Sequence, residues 1–119
     1  MPFSFARHAG IMVQDSEREA FVRRVKAIDS VFTSGKIEET LHLLPELMSM
    51  APGRRDLSQK KSHYLASLAL RSLSRGDSAS ALTFLDLADV HVRDDHLTPF
   101  LRNERLEFRE QAQRGRKAT

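Results

Sequence analysis

Apolar residues recur at three- and four-residue spacing along most of the chain, which is the pattern of one buried helix face. The spacing predicts a first helix from Ser16 to about Ser34, ended by Gly35, because glycine reaches the left-handed conformation that closes a helix. The same spacing predicts four more helices: about Ile37 to Met50, Asp56 to the stop at Gly76, Ser78 to the charged stretch at Arg93, and Pro99 to Gln113. No stretch alternates apolar and polar residues as a half-buried strand does. The pattern therefore predicts an all-α fold of five helices.

Residues that are common at the ends of helices, or that bend them, mark several positions in the predicted helices. Ser16 and Asp56 each have a suitable partner three residues later, which is the spacing of a capping box at a helix start. Thr98 precedes a proline, as an N-cap residue often does. Pro45 removes a hydrogen bond from the second helix and is expected to bend it. Gly115 is expected to end the fifth helix.

The chain has 119 residues, which is the size of one domain around one hydrophobic core. Its 40% hydrophobic and 29% charged residues are ordinary for a chain that folds. We expect a flexible N-terminal arm over residues 1–15, a single helical domain over residues 16–113, and a basic disordered tail over residues 114–119.

Cysteine is absent, which excludes disulfides, thiol catalysis and cysteine-based zinc sites and fits a reducing compartment. No apolar run reaches the length of about 18 residues that a membrane-spanning helix needs. The first 15 residues lack the long apolar segment of a secretory signal. We therefore expect a cytoplasmic protein that does not enter a membrane.

The chain contains an internal repeat of a helix, a tight glycine turn and a second helix. The two turns lie at Gly35 and Gly76, 41 residues apart. In the second repeat, Ala81 and Ala88 are small residues at helical spacing, which lets neighbouring helices approach closely. Residues 21–95 resemble the tetratricopeptide repeat, a helical hairpin of about 34 residues. The resemblance implies a right-handed stack of two such hairpins with the fifth helix as a C-terminal cap; the alternative is a compact helical bundle.

The resemblance also implies a function, because stacked hairpins of this kind leave a concave groove lined by the first helix of each hairpin. It implies a non-enzymatic protein-interaction module, a small adaptor, chaperone or regulator that binds a peptide or helix of another protein. Two hairpins are marginally stable alone, so self-association as a dimer is also expected. The candidate groove residues lie on the first and third helices: Arg24, Ile28, Lys61, Tyr64 and Leu68.

The net charge of +3 comes from the C-terminal end of the chain. Residues 1–101 are balanced, whereas residues 102–119 hold six basic and three acidic side chains. On the fifth helix, Arg102, Arg105 and Arg109 form an arginine edge beside the apolar stripe, and none has a glutamate four residues before it. Such arginines suit an acidic protein partner or phosphates, or they are an ordinary solvated flank whose aliphatic stems cover the core.

The arginine edge supports an alternative function, that of a dimeric helical protein that binds nucleic acid. The candidate contacts for an anionic partner or nucleic acid are Arg102, Arg105, Arg109, Arg114, Arg116 and Lys117. Against this alternative, residues 1–101 carry no net charge, and the chain has one tyrosine and no tryptophan to stack on bases. A protein partner is therefore the first interpretation.

Histidine and carboxylate side chains cluster once, in the sequence HVRDDH at residues 91–96. His91 and His96 are five residues apart and point to different sides of a helix, whereas helical metal sites use pairs three or four residues apart. No nucleophile motif, phosphate loop or metal-binding signature occurs elsewhere in the sequence. We therefore predict no enzyme activity, no catalytic residue, no metal and no cofactor.

Overall fold

The computed structural model describes the backbone of residues 15–118 and the side chains of residues 15–116. The predicted flexible arm lies, apart from Asp15, outside the described residues. The side chain of Lys117 also lies outside them.

Five α-helices and one short 3-10 helix make up this described part of the chain. The α-helices are α1 (Ser16–Thr33), α2 (Ile37–Met48), α3 (Arg55–Ser74), α4 (Ser78–His91) and α5 (Pro99–Ala118), and the 3-10 helix is Asp94–His96. Helix α1 packs on α2, α3 packs on α4, and α5 packs on both α3 and α4. Helix α2 also contacts α4, which joins the first pair of helices to the others. Between residues 15 and 118 there is no strand, and the predicted all-α stack of five helices is confirmed.

The two glycine turns of the repeat separate the helices as predicted. Gly35 has a φ of 87° and Gly76 a φ of 77°, in the left-handed region that glycine adopts without steric cost. After the second turn, the carboxylate of Asp77 accepts a hydrogen bond from the backbone N–H of Ser80, which caps α4. Thr98 caps α5 in the same way, since its hydroxyl accepts from the N–H of Leu101.

The starts of α1 and α3 differ from the predicted capping boxes. Asp15, one residue before Ser16, caps α1 by accepting from the N–H of Arg18. Helix α3 begins at Arg55 without a side-chain cap, and Asp56 lies inside its first turn. Both carboxylates also bind the guanidinium of Arg54, which links the starts of the two helices.

The C-terminal end of α5 corrects the sequence analysis at Gly115. The helix passes through Gly115 and continues to Ala118, so residues 114–118 are helical where a disordered tail was predicted. A Cβ at this position would lie 2.5 Å from Oγ of Ser78 at the start of α4. Gly115 therefore allows α5 to cross α4 closely, and it does not act as a helix stop.

The core runs through the whole stack and joins the two hairpins. Phe32 of α1 and Phe84 of α4 are both fully buried and meet edge to face, with ring centroids 5.9 Å apart. Ala81 and Ala88 are also fully buried, as expected for small residues between close helices. Pro45 lies inside α2, and the bend expected there stays a prediction. None of the helices in the described part of the chain is long and apolar enough to span a membrane.

Candidate partner-binding groove

An open groove with a volume of about 600 Å³ runs between α1 and α3 and reaches the start of α5. Most of the exposed surface of its lining is apolar. The apolar part of the lining consists of Phe21, Val22 and Val25 from α1, the ring of Tyr64 from α3, and Leu101 from α5. Val22 is 39% exposed, so an apolar wall of the groove faces solvent.

Two sets of polar contacts, which we call clamps, link α1 to α3 at the two ends of the groove. At one end, the guanidinium of Arg54 binds Asp15 at 2.7 Å and Asp56 at 2.7 Å, which ties the first turns of the two helices together. At the other end, the carboxylate of Asp29 on α1 accepts hydrogen bonds from Tyr64 and Arg71 of α3. The groove residues of both helices lie in sequence between these clamps, which we call the Arg54 clamp and the Asp29 clamp.

The Asp29 clamp is electrostatically coupled to the groove through Tyr64. Arg71 donates to Asp29 at 2.6 Å, and the Tyr64 hydroxyl donates to it at 3.0 Å. The hydrogen bond from Arg71, followed by that from Tyr64, lowers the pKa of Asp29 from its ordinary value. Burial and the hydrogen bond to Asp29 raise the pKa of Tyr64.

The raised pKa of Tyr64 predicts an unusual alkaline titration. Tyr64 is the only tyrosine and tryptophan is absent, so tyrosinate absorbance reports this side chain alone. The pKa of Tyr64 is higher in the folded than in the unfolded protein. Its contribution to stability is therefore fully present below the unfolded pKa of about 10 and is lost as the pH rises through the folded pKa. We expect no tyrosinate near pH 10 and its appearance only at higher pH, together with unfolding. The substitution Asp29→Asn should move the ionisation to lower pH, whereas ordinary ionisation near pH 10 in the native protein would contradict the clamp.

The structure brings only one of the five predicted groove residues, Tyr64, to the groove. Ile28 and Leu68 are fully buried in the core, so they are not available to a partner. They lie on the stripe by which the first helix of each hairpin packs against the rest of the stack. Sequence spacing identified this stripe correctly, but Ile28 and Leu68 were predicted to line the groove, whereas they lie in the core.

Lys61 and Arg24 also have structural partners. Lys61 is 2% exposed, and its ammonium donates to the carbonyl oxygens of Met48 at 3.0 Å and Met50 at 2.5 Å. It thereby satisfies carbonyl groups where α2 ends, and burial lowers its pKa. Arg24 faces α2, where it binds Glu46 at 2.8 Å. Neither residue lines the groove.

Three apolar residues of the groove lining, Phe21, Val25 and Leu101, served in the sequence analysis only to locate helices. Phe21 and Val25 belong to the apolar spacing that predicted the first helix, and Leu101 to that of the fifth. Spacing shows that such residues share a helix face. It does not show that α1 and α3 leave part of those faces uncovered.

The arginine edge is neutralised by aspartates, contrary to the sequence analysis. Arg109 binds Asp86 at 2.9 Å and Asp89 at 2.5 Å, both on α4. Arg105 lies 3.4 Å from Asp89 and 3.7 Å from Asp94, and Arg102 lies 3.6 Å from Asp94. The expectation of unpaired arginines considered only glutamates on the same helix, whereas these carboxylates lie on α4 and just beyond its end. The arginine edge is therefore a contact between α4 and α5.

The remaining predicted cations lie near the end of α5. Arg114 is exposed and lies 3.9 Å from Glu110, one turn earlier, a distance at the limit for an ion pair. Arg116 is exposed and helical. For Lys117 the structure describes the backbone only.

The HVRDDH sequence, which follows α4, packs against the start of α3 through His96. His96 is buried, with its Nδ1 2.8 Å from the hydroxyl of Ser58, and its carbonyl accepts from the side chain of Gln59 at 2.9 Å. Arg93 pairs with Asp95 on the surface. Within the part of the chain whose side chains are described, no three histidine or carboxylate residues are arranged to hold a metal ion.

No protein-family model matches the chain, and neither a curated protein nor a solved structure matches it. The fold and the groove define an all-α helical stack with an open apolar surface groove.

Proposed function

We propose that this protein is a non-enzymatic interaction module, similar in plan to tetratricopeptide repeats, that binds a peptide or helix of a partner protein in the groove. The observation that supports it most strongly is the apolar groove between α1 and α3, the first helices of the two hairpins. This is where a stack of such hairpins would receive a ligand. Exposed apolar surface is costly to leave in water, and a partner's apolar side chains would cover it.

The polar residues of the groove support binding more than catalysis. His63 and Ser67 are one turn apart on α3, and Nδ1 of His63 lies 3.3 Å from the carboxylate of Glu104. This resembles part of a serine, histidine and carboxylate triad. However, Ser67 makes no hydrogen bond to His63 in the described structure, and both residues lie well inside a helix, whose backbone N–H groups bond within it. The arrangement supplies neither an activated nucleophile nor a site for an oxyanion.

The nucleic-acid alternative has less support from the structure. The guanidinium groups of the arginine edge face Asp86, Asp89 and Asp94, so phosphates would compete with three carboxylates for them. Dimerisation stays a prediction and is independent of the groove.

Selection of peptides by the full-length protein tests the proposal. A phage-displayed library of random peptides is passed over the protein, and synthetic forms of the selected peptides, free of tyrosine and tryptophan, are titrated in solution. Binding is followed by the fluorescence of Tyr64, which lines the groove and is the only tyrosine in a chain without tryptophan.

The variant Val22→Asp places a charge on the apolar wall, and we expect it to weaken peptide binding by at least about tenfold. Val90→Asp is the matched control, because Val90 is 76% exposed and lies outside the groove lining. The control should bind like the native protein. Equal loss in both variants, or failure to select any peptide, would contradict the proposal.

A further inference from the structure

We infer that the groove receives an acidic amphipathic segment, in which large apolar side chains fill the groove while carboxylates pair with Lys26 and Lys60 on its two walls. The inference rests on the proposed function and names the chemistry of the partner. Its support lies in how the charges around the groove are distributed.

The two lysines lie on opposite walls, Lys26 on α1 and Lys60 on α3, and both are exposed. Neither makes an ion pair with a described side chain. An ammonium group is a compact charge on a flexible stem, which can follow a carboxylate that is not rigidly placed. Two such groups beside an apolar floor are complementary to a segment that carries acidic residues on both sides of an apolar stripe.

The other ionisable side chains that line the groove already have partners within the protein. Asp56, the only carboxylate among the described lining residues, is bound by two nitrogens of Arg54 at 3.1 and 2.7 Å. His63 lies against the carboxylate of Glu104. Among the described residues, the groove therefore offers a partner the two lysines and no unpaired carboxylate, so a basic segment would meet like charges.

The same charges argue against the chain's own N-terminal segment as the occupant. Residues 1–14 contain apolar side chains, including Phe3 and Phe5, but no aspartate or glutamate. They also contain Arg7, which the two lysines would repel. Charge complementarity thus favours an acidic segment of another protein.

The composition of the selected peptides tests this inference. Peptides selected on the full-length native protein should be enriched in aspartate and glutamate together with phenylalanine, leucine or isoleucine. Their affinity should fall as the salt concentration rises, because part of the attraction is between exposed charges. A synthetic peptide of residues 1–14 serves as the competitor and should displace a selected peptide only weakly.

Charge reversal supplies the matched comparison. We expect Lys26→Glu and Lys60→Glu each to weaken binding of a selected acidic peptide by about tenfold or more. Lys36→Glu changes the net charge by the same amount at an exposed lysine outside the groove lining, and it should leave the affinity within about twofold.

Different outcomes overturn this inference and the proposed function. If the selected peptides are neutral or basic but bind the Val22→Asp variant more weakly than the native protein, the inference of an acidic partner is wrong and the proposed interaction module still stands. The inference is also wrong if Lys36→Glu and Lys60→Glu weaken the affinity for a selected peptide equally. It is wrong as well if the peptide of residues 1–14 strongly displaces a selected peptide. If no peptide is selected, the proposed function itself fails.

Discussion

Replacing Phe32 with alanine is expected to lower the free energy of unfolding by about 3–5 kcal/mol, the range for large-to-small changes at buried aromatic residues. Phe32 is fully buried and packs edge to face on Phe84. The guanidinium groups of Arg71 and Arg75 lie over its ring at 4.5 and 4.6 Å. The substitution removes a ring that packs across the boundary between the two hairpins and leaves a cavity.

Urea denaturation of the full-length protein measures this loss. Phe100→Ala is the matched control, because the same atoms are removed from a side chain that is 69% exposed, and the change should stay within about 0.5 kcal/mol. The double variant of Phe32 and Phe84 should lose less than the sum of the two single variants, because the rings are in contact. Similar losses for Phe32→Ala and Phe100→Ala would contradict the structure of the core.

Replacing Lys61 with alanine is expected to cost about 2–3 kcal/mol, a large effect for removing a lysine side chain. Its ammonium is the hydrogen-bond donor to the carbonyl groups of Met48 and Met50, and both carbonyls lose this partner in the variant. A buried carbonyl without a donor carries the full cost of its desolvation.

The neighbouring residue provides the control. Lys60 is exposed, makes no ion pair with a described side chain, and its replacement by alanine should change stability by no more than about 0.5 kcal/mol. Lys61→Met keeps most of the aliphatic stem and separates the loss of packing from the loss of hydrogen bonds. Equal unfolding midpoints for Lys60→Ala and Lys61→Ala would show that Lys61 does not support the end of α2.

The helices were predictable because their signals are local. Apolar spacing placed all five, and the glycines at 35 and 76 placed the turns, since a positive φ is a property of a single residue. Gly115 was wrongly predicted as a helix stop because its contact is not local. It lies where α5 passes Ser78, and nothing in the sequence near Gly115 indicates that contact.

The candidate site was less predictable because its side chains depend on distant partners. Lys61 in isolation has the features of an exposed groove residue, and only the end of α2, more than ten residues away, turns it into a buried donor. Arg105 and Arg109 of α5 likewise pair with aspartates on α4. Sequence spacing assigned Tyr64 to the groove, but the structure was needed to show that the groove lies between two clamps.

The two clamps also bear on the proposed binding of a partner. Arg54 and Asp29 link α1 to α3 at both ends of the groove, so the groove is already open without a ligand. Binding would then require little ordering of the protein, and the entropic cost would fall mainly on the partner segment as it becomes fixed. Under these conditions, partners of equal charge that differ in their apolar side chains would associate at similar rates and differ chiefly in how long they stay bound.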